Sequence, residues 1–252
     1  MPKSLKIYIF LLVLIFIGII WADATKERPI DWRESYSLNE KIPFGLYVFN
    51  QEHKAIFKPQ TVEKFSESPY EFLDKNYNTY DSIYDIEGTI LLIQNKSAID
   101  EFSENELFYF ASHRNAIFYS NSNFSQKFAD SLGFEIEYSN DFADSLQFKI
   151  NQNQKAGNFY FNKGINTAYF SKIDSSKTEV LGTQINSKGE EFANFIKVKH
   201  LNGNFYLHLQ PVAFTNYYLL NKNSQYAEDI LGYIPSKSPI YWKVKQYDNE
   251  EL

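Results

Sequence analysis

The 252-residue sequence is 44% hydrophobic, with 23 Phe and 19 Tyr, and 22% charged, so it holds enough apolar material for a sizeable core and is not a disordered chain. Its net charge of -6 offers no basic surface, which excludes nucleic acid as a partner. With no Cys there is no disulfide, thiol nucleophile, thiolate metal site or acylated cysteine anchor.

From Ile7 to Ala22 no residue is charged and nearly all are Ile, Leu, Val or Phe. At about 1.5 Å per helical residue this stretch approaches the roughly 30 Å hydrocarbon core of a bilayer. Lys6 can snorkel to one interface, Ile7, Phe10, Leu14 and Gly18 fill the span, and Trp21 suits the far interface. Lys3 and Lys6 precede the span, whereas Asp23 and the mixed set Lys26, Glu27 and Arg28 follow it. The positive-inside bias therefore predicts a cytoplasmic N-terminus and an exported remainder. A signal peptide cleaved around Ala22-Asp23-Ala24 is the competing reading, with an apolar region at the long limit of about seven to fifteen residues. A buried core helix would show a polar face, and this segment has none.

Residues 23–42 are polar and weakly periodic and read as a juxtamembrane linker, with the exported domain over 43–252. The run Phe44, Leu46, Tyr47, Val48, Ile56, Phe57 predicts a helix. Thr89–Ile93 is a continuous apolar run of strand length, as in a strand covered on both faces. Ser103 with Glu106 matches a capping box for a helix of about ten residues, closed by Arg114-Asn115 and followed by a second apolar strand at Ala116–Tyr119. Strand, helix, strand reads as a parallel crossover, hence an α/β core.

Phe128–Ile136 partly recurs as Phe142–Ile150; Gly133 can cap a helix begun near Ser125, while Gln147 suits a continuing strand. Asn158–Phe161, Ala168–Ile173 and Glu179–Ile185 follow as short strands. Asn202-Gly203 predicts a hairpin turn that pairs Phe205 with His200, Leu207 with Val198 and Leu209 with Ile196 on a core face. Lys197, Lys199, Tyr206 and His208 then fall on a solvated or lightly covered face. A helix near Ser224–Leu231 and a strand at Ile240–Trp242 complete the chain.

Chemistry is sparse. His53, His113, His200 and His208 form no i, i+4 pair, and His200 and His208 fall on opposite faces of the hairpin, so no metal site is expected. Ser112-His113 is a nucleophile and base by type, but neighbours on a helix diverge, and His113 suits the helix C-terminus as a cation. No G-x-S-x-G elbow, P-loop or dinucleotide fingerprint is present, so no cofactor is expected. Glu104 with Glu106 and Glu190 with Glu191 read as solvated faces, and Tyr217-Tyr218 as core aromatics or a ligand groove. These absences predict a protein that is not an enzyme.

Gly203-Asn204-Phe205-Tyr206-Leu207-His208-Leu209-Gln210-Pro211, then Phe214-Thr215-Asn216, Asn223, Ala227 and Leu231, together with Ile42–Leu46 and the unit Gly88–Ser120, resemble the bacterial membrane-anchored domain of unknown function 4350 family. The resemblance implies a fold similar to class I glutamine-amidotransferase-like domains, a doubly wound, largely parallel α/β sheet with added antiparallel hairpins, preceded by one transmembrane helix. It implies no established activity, and the amidotransferase Cys is missing here. The genes of such proteins often lie beside those of MoxR-type ATPases, and many members carry a second membrane helix, of which this sequence has no apolar run. The expectation is a periplasmic, non-catalytic binding or assembly module on the bacterial inner membrane, its partners the lipid bilayer, other envelope or membrane proteins and, indirectly, a MoxR-type ATPase system. The alternative is a membrane-tethered hydrolase acting on an envelope glycan, ester or amide. In an open α/β sheet ligands bind beyond the strand C-termini. That rule points to loops near Gln94-Asn95, Asn121–Asn123 and Gln210–Asn216, with Gln210 and Asn216 as a ligand or partner rim.

Overall fold

A computed structural model describes residues 2–26, 29–95, 99–139, 145–151, 158–221 and 223–249. Glu27 and Arg28 of the flanking charges and Phe142-Ala143-Asp144 of the second repeat copy lie outside the described residues. The chain forms two compact units, Met1–Asp31 and Trp32–Leu252.

The first unit is α1 (Lys3–Ala24), no side chain of which is buried. Its 22 residues make it long and apolar enough to cross a membrane, at about 1.5 Å per residue. A signal sequence would have the same character.

The second unit opens with a segment of the expected linker that is packed rather than free: Tyr36, Ser37 and Leu38 are buried. Then come α2 (Tyr47–Ile56), β1 (Val62–Phe65), α3 (Pro69–Lys75), the small ribbon β2 (Tyr77–Asn78) and β3 (Ile83–Tyr84), and β4 (Thr89–Ile93). Next are α4 (Glu101–Ser112), β5 (Ala116–Ser120), α5 (Gln126–Leu132), β6 (Phe134–Tyr138), β7 (Leu146–Ile150), β8 (Phe159–Phe161) and β9 (Ala168–Ile173). The chain ends with β10 (Thr178–Ile185), β11 (Glu191–His200), β12 (Gly203–His208), a 3-10 turn at Pro211–Phe214, α6 (Asn216–Leu220), α7 (Ser224–Leu231), β13 (Ile240–Lys243) and α8 (Gln246–Asn249).

Every residue of β4 and β5 is buried and the two pair in parallel across α4, as their unbroken apolar runs require. The start of α4 lies earlier than Ser103: Asp100 is the N-cap, accepting from the Ser103 amide at 2.9 Å and from its hydroxyl at 2.6 Å. Ser125 caps α5, and Gly133 ends it in the left-handed region, as the sequence predicts.

The expected doubly wound, largely parallel sheet is corrected to a mixed sheet of 11 strands. Four pairings are parallel, β1–β13, β13–β4, β4–β5 and β5–β12. Six are antiparallel, joining β12–β11, β11–β10, β10–β7, β7–β8, β11–β9 and β9–β6. For β10–β11 and β11–β12 the reason is connection length: parallel neighbours need a crossover of a dozen or more residues, and the short turns between these strands leave no room for one.

Both faces of the sheet are covered. Leu107 and Phe110 of α4, Phe72 of α3 and Phe128 of α5 pack with Ile90, Ile117, Phe205 and Leu207 on one face. Phe49 of α2, Tyr218 of α6 and Tyr226 and Ile230 of α7 pack with Leu91, Phe118, Phe195 and Trp242 on the other. The hairpin register follows from this layering and from its turn, which is Leu201-Asn202 rather than Asn202-Gly203. Phe205 therefore faces Val198 and Leu207 faces Ile196, a slip of two residues that keeps every side chain on its expected face. The other face is divided: Lys199 is exposed and Lys197 half-buried, as expected, whereas Tyr206 is 5% exposed and His208 0%, because α7 and the 3-10 turn cover that end.

Candidate functional site

A groove of about 510 Å³ runs between α2 and α7. Ile56, Leu219, Ala227, Leu231 and Ile234 give it an apolar floor, and Glu52 and Glu228, both exposed, line it from the two helices. Gln60 braces its far end, donating to the carbonyls of Pro235 at 2.8 Å and Ser238 at 2.7 Å. The helical periods place these carboxylates at the groove: Glu52 lies four residues before Ile56, and Glu228 four after Ser224, so each pair shares a helix face. Neither carboxylate stood out in the sequence, because nothing short of the tertiary fold relates residues so far apart.

A second polar cluster lies inside the protein where β5 and β12 end. Ser120 Oγ is 2.9 Å from His208 Nδ1, His208 Nε2 is 3.2 Å from the Tyr226 hydroxyl, and Asn194 Nδ2 donates to that hydroxyl at 3.1 Å. All four residues are 0% exposed. Burial lowers the His208 pKa to about 3, so the imidazole is neutral, and it pushes the Tyr226 phenol up. A serine and an imidazole thus meet, which the sequence reading did not anticipate, but no solvent route reaches them and no substrate can approach.

The neutral buried imidazole has a consequence for stability. Below about pH 6.5 the unfolded chain binds a proton at His208 that the folded chain refuses, so stability falls as pH drops from 6.5 toward 3, by about 1.4 kcal/mol per unit. Burial lowers His53 and His200 as well, adding to the loss in the same direction. Chemical denaturation between pH 7 and 4 is expected to show this slope, reduced in His208→Gln.

Ser112 and His113 lie in a shallow cleft with Arg114, Leu201 and Asn202. Ser112 Oγ stands 3.2 Å from His113 Nδ1, yet Nδ1 is also 2.9 Å from the Tyr109 carbonyl, which only accepts. Nδ1 therefore carries the hydrogen and is not a base toward Ser112, which itself donates to Tyr109 O at 2.6 Å. The other imidazoles stand apart, His53 against Trp242 and His200 against Phe108 and Phe205. Among the described residues no group of three or more His, Asp or Glu is placed to hold a metal ion. Of the expected carboxylate pairs, Glu106 accepts from the Tyr84 hydroxyl, and Glu104 is buried, which raises its pKa. Glu190 accepts from Asn186 Nδ2 at 2.7 Å, and Glu191 from Thr183 Oγ1 at 2.5 Å.

Gln210 and Asn216 sit inside the fold, 0% and 3% exposed. Gln210 Nε2 donates to Asn166 O at 2.6 Å. Asn216 Oδ1 accepts from the Val48 amide at 2.8 Å, and its Nδ2 donates to Glu40 O at 2.9 Å and Ile42 O at 2.8 Å, tying the segment before α2 to α6. Asn216→Ala orphans one buried amide and two carbonyls and is expected to cost about 2 to 4 kcal/mol, read as a lowered denaturation midpoint.

No family model matches this chain, and no curated protein does. Solved structures show partial likeness. An exo-β-1,4-mannosidase from Opitutaceae bacterium strain TAV5 has a TM-score of 0.42 at 12% identity, over 59% of this chain and 25% of that one. A β-galactosidase from Bacillus circulans sp. alkalophilus scores 0.36 at 12%, over 56% and 22%, and a carbohydrate deacetylase 0.31 at 8%, over 58% and 32%. The chain thus spans a third or less of the length of each. The expectation of a non-enzyme stands against these structures, which are glycosidases and a carbohydrate deacetylase, and those activities are said of them alone.

Proposed function

We propose that the chain is a membrane-tethered hydrolase of the cell envelope, with α1 in the bacterial inner membrane, the N-terminus in the cytoplasm and the second unit outside. An envelope glycan is the substrate class proposed for the groove between α2 and α7. The observation carrying this reading is the pair Glu52 and Glu228 lining one open groove over an apolar floor. Glycoside hydrolysis needs two carboxylates across a bound sugar, one to protonate the leaving oxygen and one to attack or to activate water. Apolar floor residues suit the flat faces of sugar rings. Kinship with the family resembled above, and contact with other envelope or membrane proteins or, indirectly, a MoxR-type ATPase system, belong to the same proposal.

The full chain in detergent or vesicles is to be assayed on chromogenic glycosides and envelope glycan fragments. Turnover that falls at least about 100-fold in both Glu52→Gln and Glu228→Gln is expected, the scale lost when an acid or base is removed. Turnover untouched by either change, or none on any glycan, overturns the reading.

A further inference from the structure

Lysines stand over aromatic rings repeatedly at one end of the second unit. Lys163 Nζ is 5.7 Å from the Trp32 ring, Lys41 Nζ 4.7 Å from Tyr47 and Lys245 Nζ 5.6 Å from Tyr247. Trp32 packs on Phe44 and Tyr217, each 5.5 Å away, yet stays 40% exposed; Tyr247 is 53% exposed and Leu220, one helical turn beyond Tyr217, 74%.

These groups gather where the parallel strands end. Lys245 follows β13, and its ammonium donates to Ser35 O. Ser37 Oγ donates to buried Asp248 at 2.5 Å, holding the segment that begins at Trp32 against α8. Lys163 N donates to the Tyr218 hydroxyl at 2.8 Å, and Asn166 Nδ2 to Leu209 O, just past β12, at 2.6 Å. The opposite end of the sheet carries the Leu201-Asn202 turn, where β12 begins.

We propose that this aromatic and lysine surface docks on the headgroup layer of an anionic bilayer, its rings in the interface and Lys41, Lys163 and Lys245 against lipid phosphates. Tryptophan and tyrosine concentrate at membrane interfaces because one edge is apolar and the other polar, and lysines beside them draw anionic lipid. Chain reach fits: Trp32 is eight residues past the last residue of α1, no more than about 29 Å of extended chain. The inference rests on α1 lying in the bilayer.

Face selectivity tests it, since a freely tumbling tethered unit shows the lipid every side equally. The chain has no Cys, so Leu220→Cys and Leu201→Cys each give one labelling position in the full chain. Both are to be labelled with a fluorophore in vesicles of phosphatidylethanolamine and phosphatidylglycerol bearing a headgroup-level quencher. Quenching several-fold stronger at 220 than at 201, with the difference removed by Lys163→Glu and Lys245→Glu together, is expected. Equal quenching at the two positions, in a chain that resists carbonate extraction, overturns the docking alone. Release of the chain by carbonate overturns both the docking and the tether.

Discussion

His208→Asp is expected to unfold the second unit, and to do so as completely as Leu207→Asp, although the two side chains point to opposite faces of β12. Leu207 lies among Ile196, Ile117 and Phe205 under α4, and a carboxylate there has no partner. His208 lies against Phe195, Phe214 and Tyr226, also 0% exposed. An unpaired buried carboxylate costs on the order of 3 to 5 kcal/mol, a large share of the 5 to 15 kcal/mol that holds a domain folded. The measurement is thermal melting of both variants. His208→Asp melting within a few degrees of the parent, with Leu207→Asp unfolded, would mean that the second face is solvated after all.

Gly203→Ala is expected to be nearly as damaging, for a reason unrelated to turn geometry. A Cβ at Gly203 would stand 2.1 Å from the Ala111 carbonyl oxygen and 2.2 Å from that of Asn115. Both are backbone atoms at the end of α4 and the start of β5, so no rotamer change relieves the clash. β12 must move off β5 or the end of α4 must unwind, an overpacking penalty of about 3 kcal/mol or more. Gly189→Ala is the matched control: that glycine has φ +81° and open space around it, so its cost is backbone strain of about 1 kcal/mol. Denaturant midpoints separate the two. Equal small losses would show that the strand and helix are not held this close.

Much of the layout was legible in the sequence because it depends on local pattern. Sixteen uncharged positions from Ile7 to Ala22 announce a helix suited to lipid, and α1 forms there. Two continuous apolar runs announce β4 and β5, Ser125 and Gly133 bracket α5, and Ala168–Ile173 and Ser224–Leu231 are the bounds of β9 and α7. Alternation along Ile196, Val198, Phe205 and Leu207 assigned the correct face even though the turn was read one residue late. A one-residue shift of the turn changes the pairing by two and so preserves side.

The tertiary structure decided what depends on distant partners. Alternation says that two faces differ, not that either is wet, and only the packing of α7 over β12 made His208 a neutral core residue beside Ser120. The sequence carries Asn202-Gly203 as a turn signal, yet Gly203 is required by the approach of Ala111 and Asn115, backbone that no local pattern reveals. The direction of the later strands turned on connection length rather than on their composition. The placing of Glu52 and Glu228 along one groove depends on folding, as does the gathering of Trp32, Lys163 and Lys245 at one end of the sheet.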